Sequence, residues 1–454
     1  HPHIYEMVLN YCSKSINELS HDELIQLTGQ ISEPFVNDSF PFNPSLTLKG
    51  FNADTLIREL ISILHNANTC IRTQRLDAHL KVIIANLIKG ENYHLTRYPF
   101  YSRHPNNYKY IKRYNPLHIT FSPLISSING LAKIHYIKNY TGYFDRETQS
   151  GKQSRIVTQY LLLQLMEKHA LGIADVMQLP SEPIRLKNEK KMLIDYEDTP
   201  LINKMRNDLI KHNYLLSKSS IQIIPSKELK EYLSYNENDV VDFTQESYHR
   251  IFSNSSFTLH GRYYGAWWQS IKREFRPFIT INEQKTVELD YSALHLHLLY
   301  SKLNINYEEE FGKGDDPYSL EGFDSSYRPI IKVATLTSLN MKTAKYFSQT
   351  VASRLRKEGI FQEHIPYKEI KNKMLAKHHK LKDYFFSGVG LKLMFKDSCI
   401  SEYIIRKMTN KKIPILSIHD SYVVAVPYKE LLLSVMLQAF KSLKIKSIPP
   451  IKCK

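Results

Sequence analysis

The spacing of apolar positions changes several times along this chain, and each change predicts an element. In residues 56–64 and 76–87 apolar side chains recur at three- and four-residue intervals, so the first 90 residues read as a helical bundle. Ser122-Pro123 supplies an N-cap and a first helical position for a helix through Ala132. Residues 135–141 then read as a strand, 142–151 as a polar turn, 154–158 as a returning strand and 159–169 as a helix. Pro180, Pro183 and the charged run 187–191 look like a linker, and a helical and extended stretch over 201–224 follows it. Further on, Val287 and Leu289 alternate as in a buried strand, and Leu294, Leu298 and Leu299 keep helical spacing. In Ile415-Leu-Ser-Ile-His419-Asp420-Ser-Tyr-Val-Val-Ala-Val426, apolar arms flank a polar centre, the pattern of a hairpin with Asp420 at its tip.

At 454 residues the chain is long enough for several cores. The pattern divides it into a helical region (1–90), a basic module (91–180), a connector (181–245) and a C-terminal α+β part (246–454). Its 61 Lys+Arg against 45 Asp+Glu leave a net charge of +16, which favours a polyanionic partner. No apolar run approaches the roughly 18–20 residues of a membrane span, and no secretory leader pattern opens the chain, so a cytoplasmic protein without membrane contact is expected. Cys12, Cys70, Cys399 and Cys453 form no CxxC pair, so neither a zinc ribbon nor a disulfide framework is expected.

Residues 92–144 contain no carboxylate. In them Arg97, Arg103, Lys109, Lys112, Arg113, Lys133 and Lys138 alternate with tyrosines, among them Tyr93, Tyr101, Tyr108, Tyr110 and Tyr136. Cations for phosphates and rings for bases make this a candidate nucleic-acid surface. The competing reading is a solvated basic face with half-buried tyrosines. Helix, two-stranded ribbon, helix in the same region resembles the winged-helix DNA-binding module, with an ordinary α/β connector as the alternative.

The sharpest chemistry lies in Thr286-Val-Glu-Leu-Asp290-Tyr-Ser-Ala-Leu-His295. Asp290 falls where a strand ends, a place at which rigid backbone can fix a carboxylate at an open cleft. A strand-end Asp alone is usually a helix cap; the second carboxylate, Asp420, changes that. Two convergent carboxylates are the least a protein must supply to two magnesium ions in phosphoryl transfer, with manganese as a substitute. Between them, Asp324-Ser-Ser-Tyr-Arg328-Pro-Ile-Ile-Lys332 predicts a helix capped by Ser325 or Ser326. Arg328 and Lys332 then share one face near its N-terminus, either as a triphosphate clamp or as a solvent-facing pair.

Taken together, Asp290-Tyr-Ser, Arg328-xxx-Lys332 and His419-Asp420 resemble, in order and character, the three palm and fingers motifs of family A DNA polymerases. Gly261-Arg262-Tyr263 and His419-Asp420-Ser421 also resemble segments of single-subunit, phage-type RNA polymerases, and Gln269 with Arg276 resembles the family A primer-template segment. The resemblance covers about 200 residues and implies a right-hand palm with small helical fingers. It implies Asp290 and Asp420 as metal ligands, and His419 at the primer terminus or metal site. Arg328, Lys332, Tyr291, His295, Leu336 and Asn340 would lie around the nucleotide, and Arg262, Gln269 and Arg276 would touch primer or template. Two departures stand out: His295 replaces a glutamate that helps exclude ribonucleotides, and Leu336, Asn340 and Met341 stand where the fingers helix normally continues to an aromatic and a Tyr-Gly.

The expected reaction is therefore nucleoside triphosphate addition to a 3′-hydroxyl on a DNA primer-template, without proofreading. RNA synthesis by a primase or small RNA polymerase is the alternative within the class, and untemplated addition a further one. A replication-initiation protein that binds DNA without catalysis is the alternative from another class.

Overall fold

The computed structural model describes residues 15–30, 39–69, 75–92, 96–108, 111–145, 150–235, 241, 243 and 245–454. Half of the described residues are helical and 17% are in strands, a mixed α+β protein as expected. No helix among the described residues is long and apolar enough to cross a membrane. Cys12, Cys70, Tyr93, Lys109 and Tyr110 lie outside the described residues.

Contacts gather the chain into two compact units, 1–182 with 227–242, and 183–226 with 243–454. The boundary expected at residue 90 falls inside the first unit, because strand Ser39–Pro41 pairs in parallel with Tyr98–Tyr101 and draws both halves onto one sheet. That sheet continues through Ser154–Thr158 to Ile137–Tyr140. Helix Leu76–Glu91 is buried almost all round, with Leu80, Ile83, Ile84 and Leu87 in a core shared with Leu124, Ile128 and Leu162. The helix–ribbon–helix order appears as Phe121–Lys133, the pair Ile137–Tyr140 and Ser154–Thr158, and Tyr160–Lys168. Its ribbon is the edge of the four-stranded sheet, and Ser154–Thr158 is buried along its whole length. The first of these helices starts at Phe121 after an extended Thr120, earlier than the Ser122 cap expected.

The second unit absorbs most of the expected connector. Ile184–Lys187 pairs in parallel with His249–Ser253, and Ile221–Ile223 forms an edge strand beside Ile279–Ile281, so these segments are structural rather than linking. Their alternating apolar residues bury one face each, which a linker would not do. Two sheets result. One runs Leu193–Ile194, Ile184–Lys187, His249–Ser253, Ser256–Tyr264. The other runs Ile221–Ile223, Ile279–Ile281, Gln284–Tyr291, Ser421–Ala425, Leu416–Ile418, with Ile451–Cys453 also on the central Gln284–Tyr291 strand.

The long helix Gly390–Asn410 packs on Ser256–Tyr264 with Leu393, Ile400 and Ile404 buried. Two glycines permit the close approach. A Cβ at Gly261, where φ is +77°, would stand 2.7 Å from Phe252 and 2.8 Å from Ser398 Oγ. At Gly390 it would fall 1.9 Å from Asn340 Oδ1.

Candidate active site

The register of the second sheet brings the two expected aspartates to one end. Asp290 pairs with Ser421 across the antiparallel ladder, and Tyr291 N–H donates to the Asp420 carbonyl at 3.4 Å. Asp420 therefore sits in the tight turn beside Asp290. Between Ile418 and Ser421 the turn holds only two residues, which requires left-handed backbone, and His419 adopts it at φ +59°. Ala293, three residues beyond Asp290, is also left-handed at φ +57°. Such conformations in non-glycine residues cost of order 1 kcal/mol or more and cluster at functional sites.

The hairpin is braced from below. Tyr248 donates its hydroxyl proton to the Ser417 carbonyl at 2.8 Å and accepts from Ser417 N–H at 2.7 Å and Trp268 Nε1–H at 2.5 Å. Gln269 Nε2 donates to the same carbonyl at 3.1 Å and to that of Tyr263 at 3.0 Å. Gln269, expected to contact primer or template, thus has its amide engaged in holding the hairpin. Arg276 likewise reaches Glu288 at 3.4 Å, and Glu288 accepts from Ser421 Oγ at 2.7 Å.

A third carboxylate, unanticipated from the sequence, completes the group. Asp397, on Gly390–Asn410 and only 1% exposed, accepts from Arg262 Nε at 2.8 Å and Nη2 at 2.5 Å. His295 Nε2 lies 3.2 Å from Arg262 Nη2 and 3.7 Å from Asp397. Burial works against the Asp397 charge, but Arg262, then His295, outweighs it and holds the pKa below the ordinary carboxylate value. Asp397 Oδ1 remains buried without a hydrogen-bond partner. The only sequence signal was a charged residue on the apolar side of a helix.

Asp420 behaves in the opposite way. Burial first, then Asp397 and Asp290, push its pKa up to about 6. Burial and the charge of Arg262 hold His419 down to about 4, so its ring is neutral near pH 7, and its Nδ1 is buried without a partner. Tyr264 packs edge-on against that ring at 5.7 Å. Asp290 is covered by a second unanticipated residue: Lys454 Nζ meets it at 2.5 Å while Lys454 N–H donates to the Glu288 carbonyl.

The helix Arg328–Asn340 exists with Pro329 in its first turn, preceded by a short turn capped by Asp324 rather than by either serine. Arg328 is gripped by Asp316, with Nη2 to Oδ1 at 3.2 Å, so its guanidinium has a carboxylate partner where a free phosphate clamp was expected. Lys332 is exposed. Asn340 donates to the Leu336 carbonyl at 2.7 Å and packs on Gly390, an internal role. Leu336 is half-buried. Tyr291 is a clear correction. Its ring is buried against Tyr422 and Phe440 and its hydroxyl donates to the Met436 carbonyl at 2.8 Å, because strand alternation turns it away from Asp290 into the core.

In the first unit, Arg103 binds Asn129 at 3.2 Å and the Tyr101 hydroxyl at 3.0 Å, Arg113 meets Glu182 at 3.4 Å, and Lys138 reaches the Thr28 carbonyl at 3.4 Å. Arg97 is buried, and so are Tyr101, Tyr108 and Tyr136. Lys112 and Lys133 are exposed.

No protein-family model matches this chain, and neither does any curated protein. The chemistry of the site thus has to speak for itself. Asp290 and Asp420 offer hard carboxylate oxygens, the donors that magnesium takes. Among the described residues no group of three or more His, Cys, Asp or Glu is disposed to hold a metal. Two carboxylates are too few for a closed protein cage around any ion.

Proposed function

We propose that this chain is a nucleotidyltransferase of the polymerase type, adding nucleoside triphosphates to a 3′-hydroxyl on nucleic acid, with DNA synthesis on a primer-template as the leading form. In this reading the second unit supplies a palm, and Arg328–Asn340 is its short fingers helix. One observation carries it: the strand register that sets Asp290 beside the His419-Asp420 turn, where burial and two neighbouring carboxylates raise the Asp420 pKa to about 6. A carboxylate kept in such surroundings gains most from an added cation.

Asp290 and Asp420 would hold two magnesium ions, which when bound polarise the 3′-hydroxyl and neutralise the triphosphate. The other roles belong to the chain itself. Arg328 exchanges the Asp316 carboxylate for a phosphate, one bidentate partner for another, and Lys332, one turn on, adds a second positive charge. His419 is neutral near pH 7 and so serves as a hydrogen-bond partner rather than a cation. Arg262, fixed by Asp397, keeps a positive charge beside Asp420.

A second reading has its own support. The Lys454 ammonium on Asp290 supplies the charge that a metal otherwise would, as in a protein that binds nucleic acid without catalysis.

Primer extension with dNTPs and with rNTPs, with and without template, separates the two. Magnesium-dependent incorporation that disappears in Asp290→Asn and Asp420→Asn is expected. Near wild-type incorporation by either variant overturns the two-carboxylate assignment, and nucleic-acid binding with no incorporation under any condition supports the second reading. Melting temperature measured against magnesium concentration gives an independent readout: the ion should stabilise the wild type and not Asp290→Asn.

A further inference from the structure

The second unit contains a pocket of about 510 Å³ in which none of the carboxylate-site residues takes part. Its interior is aliphatic, built from Leu298 and Leu299 on helix Leu294–Lys302 and Val389 and Leu393 at the start of the long helix, with the exposed Leu443 after helix Lys429–Ser442 beside them. Four lysines line it from the same three elements: Lys302, Lys392, Lys396 and Lys444. All four are exposed and no carboxylate lines the pocket. Lys392 and Lys396 stand one helical turn apart on the same face. Lys302 lies over the Tyr384 ring at 5.0 Å, a contact that leaves its charge available. Like charges gathered at the mouth of an apolar cavity set up a positive potential that draws an anionic ligand.

We propose that this pocket docks an acidic peptide segment of a partner protein, seating an apolar anchor side chain inside and its flanking carboxylates on the lysines. The volume lies in the range of sites that take a ligand of a few side chains. Several cations from three separate elements match several anions spaced along a chain, whereas a single-headed fatty acid brings one charge. A stacked nucleobase wants aromatic faces, and Phe395 is the one aromatic side chain among the lining residues. Peptide recognition of this kind puts affinity into the buried anchor and orientation into the rim charges. This inference stands whether or not the nucleotidyltransferase reading holds.

The test uses the full chain and a fluorescein-labelled peptide of sequence Asp-Asp-Leu-Asp-Asp-Leu-Leu-Asp-Asp, read by fluorescence anisotropy. Lys392→Glu with Lys396→Glu should weaken binding by about tenfold or more, and Leu443→Gln by about threefold, since the first reverses two rim charges and the second removes part of the apolar wall. Both changes fall on exposed side chains and should leave the melting temperature within about 2 °C of wild type. A peptide with serine in place of each leucine should bind about tenfold more weakly. Equal binding of the serine peptide would overturn the proposal in favour of a plain basic face. Unchanged binding by the lysine variant would place the peptide elsewhere and overturn it too. So would displacement of the peptide by stoichiometric palmitate, or by oligothymidylate of equal charge at lower concentration than unlabelled peptide, which assign the pocket to a lipid or to single-stranded nucleic acid respectively.

Discussion

Two regions of this chain carry conspicuous charge, and the fold treats them in opposite ways. In the basic, tyrosine-rich stretch of the first unit, the side chains find separate partners: Asn129 for Arg103, Glu182 for Arg113, the Thr28 carbonyl for Lys138. In the second unit, Asp290, Asp397 and Asp420 come from a strand, a helix and a turn, and are near enough for Asp420 to titrate against both of the others. Dispersed charge with local partners is what ordinary folding produces. Convergent like charge opposes folding; here Arg262 and Lys454 offset it on Asp397 and Asp290, while Asp420 stays raised to about 6. On the proposed reading the carboxylates come first, although the basic stretch is the louder signal in composition.

The largest expected effect tests the carboxylates directly. Asp290→Asn and Asp420→Asn should each lower nucleotide incorporation by about a thousandfold or more, because an amide oxygen is a far weaker magnesium donor than a carboxylate. Single-turnover primer extension at saturating magnesium measures it. Retention of a tenth of the wild-type rate by either would make the convergence a structural accident and dissolve the contrast with the basic stretch.

Asp397→Asn comes next. It leaves the Arg262 guanidinium half-buried beside a neutral amide, so chemical denaturation should show a loss of about 3 kcal/mol, typical of breaking a buried ion pair. Incorporation should fall by about ten- to a hundredfold, since Arg262 is then free to move relative to Asp420. Combining it with Arg262→Gln should recover part of the stability, and a strictly additive double variant would show that the two side chains are not coupled.

A smaller effect concerns pH. Asp420 has a folded-state pKa near 6, above its ordinary value, so the folded protein binds this proton more tightly than the unfolded chain does. The stability it contributes is fully present below about pH 4 and is lost as pH rises through about 6. Asp420→Asn removes that loss. Without magnesium the variant should be more stable than wild type by about 2 kcal/mol at pH 7, with the difference gone at pH 4. Magnesium should shrink the difference at pH 7 by stabilising the wild type alone. A variant less stable than wild type at pH 7 would show that the Asp420 charge is satisfied in the fold.

The same contrast explains what was legible in advance. The placement of Asp290 near a strand end and of Asp420 in a hairpin turn could be read because strand alternation and a hairpin pattern are local. The α+β class followed from the same periodicities. Tyr291 was misplaced because one residue of alternation sends it to the other face of the sheet, where it meets Phe440 from a helix 149 positions away in the chain. Gln269 and Arg328 were assigned outward roles because their internal partners, the Ser417 carbonyl and Asp316, are set by tertiary contact alone. Asp397 and Lys454 gave almost no signal: each is a single charge whose meaning depends on which strand or helix packs beside it. The two-unit division was hidden for a similar reason, since it turns on three-residue strands such as Ser39–Pro41 and Ile221–Ile223.

The smallest expected effect lies in the first unit, and it decides how far the contrast reaches. Lys112 and Lys133 are exposed, and each is available to a phosphate at little desolvation cost. Replacing both by glutamine should weaken binding of a primer-template duplex by about two- to fourfold at moderate salt and lower the salt slope by about 2, the signature of two lost phosphate contacts. Melting temperature should not change. Arg103→Gln should behave differently, because its guanidinium bridges Asn129 and Tyr101: the fold should lose about 1 kcal/mol, and duplex affinity should stay nearly constant. If the lysine pair instead weakened binding by a hundredfold, the basic stretch would be a concentrated site comparable with the carboxylates. If neither lysine changed the salt slope, the positive charge of this unit would be a solvated face, and nucleic acid would have to be held by the second unit alone.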